Sequence, residues 1–457
     1  MPFNSFEDYP MSWRPRLDKN TRGLSRALAR QLSEDIRSGV LRPGTKLPPQ
    51  RELADFLDVN VSTVSKAFKL CALQGLLSAT VGSGTFVSYD ALCSGNLLLE
   101  PGKAPMIDMG PTAPEPSANE LLRRRTREML SSPEAGRLFS YRAPGADEWQ
   151  RDAAAALMAG CGHQTSRERV LFAGGGQNAL TAVLAAMFRR GDKIAVDDHT
   201  YPGIKTAAAM LGIQLVPVAG QPDGMDTQML KALCGAEKIQ GVYLIPACHN
   251  PTTVRLSGEK REQIAEIVRE SGCRLIEDGT YQILEEGGRS ISDLIPEQSA
   301  FIVSLSKGIA PGLRLAYLSV PEAWKEAAAD ALYSLNVATA PLMSELAARL
   351  IVSGEYREIL ELHRRRTRER NKIVDRYFSK DICQGGDRDI FRWLRLPSEA
   401  TGAEFERRAR ARGVRVFGAE RFAVGNTAPQ RAVRLSICAP ATPEEMEAGL
   451  QTLASLL

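Results

Sequence analysis

Apolar positions in the first ninety residues keep a helical period. Leu24, Leu28, Leu32 and Ile36 recur every four residues, with Arg22, Arg26, Arg30 and Arg37 among them, which predicts an amphipathic helix. Pro43-Gly44 and Pro48-Pro49 interrupt the pattern. Residues 50–57 predict a short helix, Asp58-Val59-Asn60 a turn, and residues 61–74 a second helix with Val61, Val64, Phe68 and Cys71 facing inward. Gly75, then Gly82-Ser83-Gly84 ahead of Thr85-Phe86-Val87, predict a small hairpin. From about Leu121 the pattern changes. Apolar runs of strand length at 170–173, 193–197, 214–218, 241–247, 273–277, 301–305 and 315–320 read as buried parallel strands. Helical stretches of ten or more residues lie between most of them, which is the signature of an α/β domain, here expected to hold a mainly parallel central sheet. The section from about residue 360 opens on a very basic helix, His363 to Lys372. It ends in short strands around 413–417 and 433–437.

Composition divides the chain further. Its 457 residues exceed one ordinary domain of roughly 150, so either about three domains or one large unit with a small module is expected. A hydrophobic fraction of 44% with 25% charged residues excludes wholesale disorder. The net charge of +4 hides an asymmetry: residues 12–89 carry twelve basic and six acidic side chains, net +6, which leaves −2 for the rest. Residues 93–117 hold five prolines and three glycines and read as a linker, although Met106-Ile107-Asp108-Met109-Gly110 has the look of an ordered arm. The expected units are therefore 12–89, a linker at 90–117, a large domain at 118–359 and a smaller α+β subdomain at 360–457. The eight cysteines are scattered without a Cys-x-x-Cys, so neither a disulfide framework nor a metal site is expected. No apolar run reaches membrane-spanning length, and the first 17 residues lack a signal-peptide core; a soluble, cytoplasmic protein is expected.

A short helix, a tight turn and a second helix form a helix-turn-helix, whose second helix enters a DNA major groove by its N-terminal residues. Here those are Asn60, Ser62, Thr63, Ser65 and Lys66, all able to donate to base edges. The glycines of the hairpin, Gly82 and Gly84, permit close approach to the DNA backbone. The stretch Leu41-Arg-Pro-Gly-Thr-Lys-Leu-Pro-Pro-Gln-Arg-Glu-Leu-Ala54, with Val61-Ser-Thr-Val64 and Gly82-Ser-Gly-Thr-Phe-Val87, resembles the winged-helix domain of GntR regulators. That resemblance implies Arg51 at the DNA backbone or groove and the Ser62–Lys66 turn reading bases. Val61 stands where many members carry a basic residue.

In a parallel-sheet protein, ligands bind at the carboxyl ends of the strands. Following the strands in order, those ends carry Gly174-Gly175-Gly176-Gln177, then Tyr201, then Asn250, then Asp278 with Tyr281, then Ser306-Lys307. Each alone has an ordinary explanation: a tight loop, a packed aromatic, a helix cap, a surface lysine. Together they supply what pyridoxal phosphate requires. Its aldehyde needs an amine, its ring nitrogen a carboxylate, its phenolic oxygen donors, and its phosphate backbone N–H groups, hydroxyls and an arginine.

The set resembles the fold-type-I aminotransferase superfamily over roughly residues 105–457, most specifically in Ser304-Leu-Ser306-Lys307-Gly-Ile-Ala-Pro-Gly-Leu-Arg314. The resemblance implies that Lys307 forms the internal aldimine and that Ser304, Ser306 and Arg314 hold the phosphate with the Gly175-Gly176-Gln177 turn. It further implies Asp278 facing the pyridine nitrogen, Tyr281 and Asn250 at the phenolic oxygen, and Tyr201 stacked on the ring. Tyr141 would reach the phosphate bound by a partner subunit, and Arg434 would grip an amino acid's α-carboxylate. Glycines at 174–176 stand where hydroxyl residues are frequent, and Thr253 stands where glycine is usual.

In this order, the two halves are similar to the MocR subfamily of GntR regulators. That implies a homodimer, arranged head to tail, that binds double-stranded operator DNA and responds to an amine or amino acid, or to pyridoxal phosphate itself. The alternative is a working aminotransferase acting on an α-amino acid, since every catalytic group is present.

Overall fold

The structure, a computed structural model, describes residues 11–17, 23–80, 84–91, 106–140, 147–236, 239–285, 287–397 and 399–457. Three helices form the N-terminal unit: α1 (Leu24–Arg37), α2 (Gln50–Leu57) and α3 (Val61–Leu73). The four-residue period closes their core as expected. Leu28, Leu32 and Ile36 of α1 meet Leu53, Ala54 and Leu57 of α2 and Val64, Phe68 and Cys71 of α3, all buried. Asp58 adopts left-handed backbone at the turn between α2 and α3. Asn60 caps α3, its side-chain oxygen accepting from Ser62 N at 2.8 Å. Val61 departs from expectation: it is exposed, because as the first residue of α3 it projects from the tip of the unit rather than along its packed stripe. An antiparallel hairpin follows, β1 (Leu77–Thr80) and β2 (Gly84–Val87).

All seven expected apolar runs pair in one seven-stranded sheet. Its order is Val170–Ala173, Ala316–Ser319, Ser299–Ser304, Arg274–Asp278, Gly241–Leu244, Lys193–Asp197, Gln214–Val218. Six strands run parallel. Ala316–Ser319 runs antiparallel to both neighbours, so the sheet is mainly parallel, as the expected fold class has it, although the run 315–320 by itself reads as a parallel strand. The reason is the connection: residues 305–315 hold two single-turn helices and no full crossover helix, and a short return gives an antiparallel strand.

A second, four-stranded antiparallel sheet, ordered Cys383–Gln384, Phe391–Arg395, Ala432–Ser436, Phe417–Gly418, forms the C-terminal layer. The basic helix lies within Glu355–Tyr377. One of its arginines is structural: Arg370 is buried and donates to the carbonyls of Ile437 and Pro440. Residues 106–116 are an arm and not a linker. Ile107–Asp108 pairs in parallel with Val414–Arg415, and Arg415 clasps Asp108 through two bonds of 2.7 and 2.6 Å. Among the described residues, no helix is long and apolar enough to cross a membrane.

Candidate cofactor, effector and DNA sites

The strand Ser299–Ser304 delivers Lys307 to the carboxyl edge of the sheet. Ser304 caps the one-turn helix Leu305–Gly308 by accepting from Ser306 N. Lys307 Nζ donates to Thr112 O at 2.5 Å. Burial first, and then the positive charges of Arg434 and Arg314, pull its ammonium down to a pKa of about 8, against an opposing effect from Asp278. A lysine so placed is an amine ready to add to a carbonyl.

Asp278 ends the neighbouring strand. Its Oδ1 accepts from Thr280 N at 3.0 Å and its Oδ2 from the Tyr243 hydroxyl at 2.9 Å. Burial raises its carboxyl above the ordinary range, and these bonds, with Lys307, counter the shift. The adjacent Glu277 points to the other side of the sheet and accepts from Ile291 N and Ser292 N, so alternation along the strand assigns the site carboxylate to Asp278. Tyr281 is buried within 3.4 Å of Thr112 Oγ1 and edge-on to Phe391. Tyr201 precedes the helix Pro202–Leu211; burial pushes its phenol up to about 12, with Asp278, Arg434 and Arg314 close enough to act on it.

The helix Gly176–Met187 opens where Gly175 ends, so the N–H groups of its first turn have no intrahelical acceptors. Arg314 lies over that turn, 3.4 Å from Gly174 O. Gly175 has φ +102°, and a Cβ there would stand 2.5 Å from Arg314 Nη2, which accounts for glycine at this position. Ser304 borders Gly176, and the buried Ser306 hydroxyl has no partner among the described residues. The cradle thus offers free amides, two hydroxyls and a guanidinium, a donor set that fits a phosphate. Gln177 uses its side chain elsewhere, donating to Gly203 O at 2.9 Å, and leaves only its backbone to the turn.

Arg434, on the strand Ala432–Ser436, is buried and makes its hydrogen bonds to neutral groups: Nη1 to Asn250 Oδ1 at 2.6 Å and Nη2 to Gly110 O at 2.7 Å. Its Nε has no partner among the described residues, and the rings of Phe391, Phe417 and Phe422 surround the guanidinium at 5.7, 5.5 and 4.9 Å. Burial pulls its pKa down to about 10. A buried guanidinium whose bonds among the described residues go to neutral groups has the chemistry to pair with an anion.

On the N-terminal unit, Arg51, Ser62, Ser65 and Lys66 are exposed and Thr63 half-exposed, all on α2 or the first turns of α3. Gly84 opens β2 with φ +114°. Gly82 and Tyr141 lie outside the described residues.

The sequence profile of the aminotransferase class I and II family matches residues 91–453, and that of the bacterial regulatory proteins of the gntR family matches residues 24–87. The chain is 50% identical to the HTH-type transcriptional regulator YdeF of Bacillus subtilis, across 100% of this chain and 99% of that one. It belongs to the MocR-type GntR transcriptional regulators. It is also 27% identical to the vitamin B6 salvage pathway transcriptional repressor PtsJ of Salmonella typhimurium, over 63% of this chain and 65% of that one. An archaeal alanine:glyoxylate aminotransferase shares its fold, with a TM-score of 0.71 and 21% identity over 78% of this chain and 91% of that one.

Four features of the regulator's site escaped the sequence reading. Tyr243 sits mid-strand, where its hydroxyl was hidden inside an apolar run. Thr280 lies between Asp278 and Tyr281, and it acts through its backbone N–H, which no side-chain pattern marks. Thr112 and Gly110 belong to the arm, which carries no periodicity. The three phenylalanines around Arg434 come from separate stretches, and nothing local marks them as neighbours.

Proposed function

We propose that this transcriptional regulator holds pyridoxal phosphate at Lys307 and converts capture of an amino acid or related amine into altered DNA binding. Pyridoxal phosphate, when bound, supplies an aldehyde to which amines add and a ring that draws electrons from the attached carbon. Lys307 provides the attachment point, and its depressed pKa keeps part of it as free amine near neutral pH. Asp278, held by Tyr243 and Thr280, places a carboxylate for the ring nitrogen; Tyr281 and Asn250 serve the phenolic oxygen, and Tyr201 covers the ring. Ser304, Ser306, Arg314 and the 175–177 turn hold the phosphate.

The observation that carries the reading is Arg434. A buried guanidinium bonded only to an amide and a carbonyl suits an α-carboxylate, and so points to an amino acid as effector. The likeness to YdeF and PtsJ supports regulation as the outcome. In this reading the protein works as a head-to-tail homodimer, with Tyr141 completing the phosphate site of the second copy, Arg51 and Lys66 engaging DNA phosphates, and Ser62, Thr63 and Ser65 facing bases. The wing carries Gly82 and Gly84.

Single-turnover spectra of the pyridoxal phosphate-loaded protein against the twenty amino acids test this. The reading expects a spectral change with a small subset of amino acids and slow or absent turnover with a keto acid. Fast turnover to pyridoxamine phosphate with a broad set would instead make the protein a working aminotransferase. A third arm compares DNA retardation with and without pyridoxal phosphate alone, which identifies the cofactor itself as the signal if no amino acid is needed.

A further inference from the structure

Lys205 has no part in the site described above, yet its side chain is completely buried. It lies on the helix Pro202–Leu211, one turn beyond Tyr201. Its Nζ is 3.3 Å from Asp90 Oδ1 and donates to three carbonyls: Tyr89 O at 3.3 Å, Arg421 O at 3.2 Å and Ala423 O at 2.5 Å. Tyr89 and Asp90 form the exit of the winged helix; Arg421 and Ala423 belong to the turn that carries Phe422. Gly425, at the end of that turn, repeats the join. Tyr89 N donates to Gly425 O at 2.7 Å, and Gly425 N donates to Asp90 Oδ2 at 2.8 Å. The Ser88 hydroxyl donates to Gly425 O at 3.3 Å. On its other side, the Tyr89 ring covers Gly44 of the winged helix.

Both sides of this seam are rooted in the cofactor and effector site. The helix bearing Lys205 begins directly after Tyr201. The 421–425 turn is tied to the same loop by Thr200 N to Phe422 O and Val424 N to Asp198 O, both 2.9 Å, and Phe422 presses its ring on the Arg434 guanidinium. An anion on Arg434 changes the charge that holds Phe422, and Phe422 sits directly between Arg421 and Ala423, whose carbonyls Lys205 bonds. A buried ammonium tolerates little loss of partners, so a shift of the turn must either carry residues 88–90 with it or release them.

We propose that Lys205 and the 421–425 turn form the docking face for residues 88–90, and that occupancy of Arg434 sets how firmly the winged helix is held there. This rests on the reading of Arg434 as a carboxylate site. The occupant is the winged helix of the same chain, whose residues 88–90 make these bonds.

Hydrogen exchange on the full chain tests it, with pyridoxal phosphate alone and with N-(5'-phosphopyridoxyl)-L-alanine, a stable adduct that carries both the phosphate and a carboxylate. The adduct is expected to change exchange at residues 88–90 and 421–425 relative to pyridoxal phosphate alone, and Arg434→Leu to remove that difference. Lys205→Met and, on the winged-helix side, Asp90→Asn are each expected to speed exchange at Tyr89 and Gly425 about tenfold or more while pyridoxal phosphate still binds. Unchanged seam exchange with the adduct demonstrably bound overturns the coupling, as does wild-type exchange in both variants. Failure of the adduct to bind at all instead overturns the reading of the site. Cross-linking of Ser78→Cys to Pro217→Cys, which both border Gly425, tests the occupant: a linked monomer on a denaturing gel supports docking within the same chain, while a linked dimer or no product overturns it.

Discussion

Replacing Gly175 by alanine probes the proposed phosphate cradle through a single methyl group. Gly175 has φ +102° and ψ 168°, a region open essentially to glycine alone, so alanine costs about 1–3 kcal/mol in backbone strain. The added Cβ would also stand 2.5 Å from Arg314 Nη2 and 2.9 Å from Cζ. Ordinary contact needs roughly 3.5 Å, so the guanidinium must retreat by about 1 Å, enough to forfeit a hydrogen bond to a phosphate oxygen. A charge-assisted bond of that kind contributes roughly 1.5–3 kcal/mol, or about 10- to 150-fold in affinity. Spectrophotometric titration with pyridoxal phosphate reads this directly. Gly174→Ala is the control, because its Cβ would clash with the tip of the exposed Asn336 side chain, which can swing away, and would make only ordinary contact with Asn178. Arg314→Met should reproduce the loss, and the double variant should bind no worse than Arg314→Met alone. Wild-type affinity in Gly175→Ala, or additive losses in the double variant, would refute the cradle.

Other substitutions separate the remaining roles. Because burial lowers the Lys307 pKa to about 8, protonating it works against the fold below that pH; Lys307→Met should raise the melting temperature of the cofactor-free protein at pH 7 and lose the effect above pH 10.5. The rate at which pyridoxal phosphate attaches to the wild type should climb with pH through about 8, and Arg434→Leu, by removing a nearby positive charge, should move that midpoint up. Tyr243→Phe removes a donor to the Asp278 carboxylate, so Asp278 protonates more readily and cofactor affinity should fall away at a higher pH than in the wild type as pH is lowered. Lys66→Ala should weaken DNA binding about equally on all sequences and reduce the slope of log affinity against log salt by about 1. Thr253 has φ +65°, strained for a β-branched residue, and Thr253→Gly should leave thermal stability unchanged or raise it, as a melting curve would show.

Much of this molecule was legible in its sequence. Leu28, Leu32 and Ile36 announce their helix because one face of α1 is buried and the other bathed in water. The seven strands announce themselves because a sheet covered on both faces needs continuous apolar runs. The order Gly175, Tyr201, Asn250, Asp278, Lys307 is legible because each residue ends a strand or follows one within six residues, and strand ends share one edge. What stayed hidden depends on distant pairs. The direction of Ala316–Ser319 follows from the absence of a crossover helix in residues 305–315, a feature of connection and not of strand composition. The join of Asp90 to Lys205 spans 115 positions, and neither residue has an unusual neighbourhood in the chain. The Thr112 carbonyl at Lys307 is a backbone group, which no side-chain pattern encodes.

The central claim is that occupancy of the Lys307 site alters DNA binding by the winged helix. The most direct measurement is the affinity of wild-type and Lys307→Ala protein for the DNA upstream of the regulator's own gene. Each is titrated at fixed salt with pyridoxal phosphate, with and without the amino acid that gives the strongest spectral change. A shift of about fivefold or more in the wild type, absent in Lys307→Ala although that variant still binds DNA, is the predicted result. An equal shift in both proteins, or none in the wild type with the cofactor bound, would contradict the account.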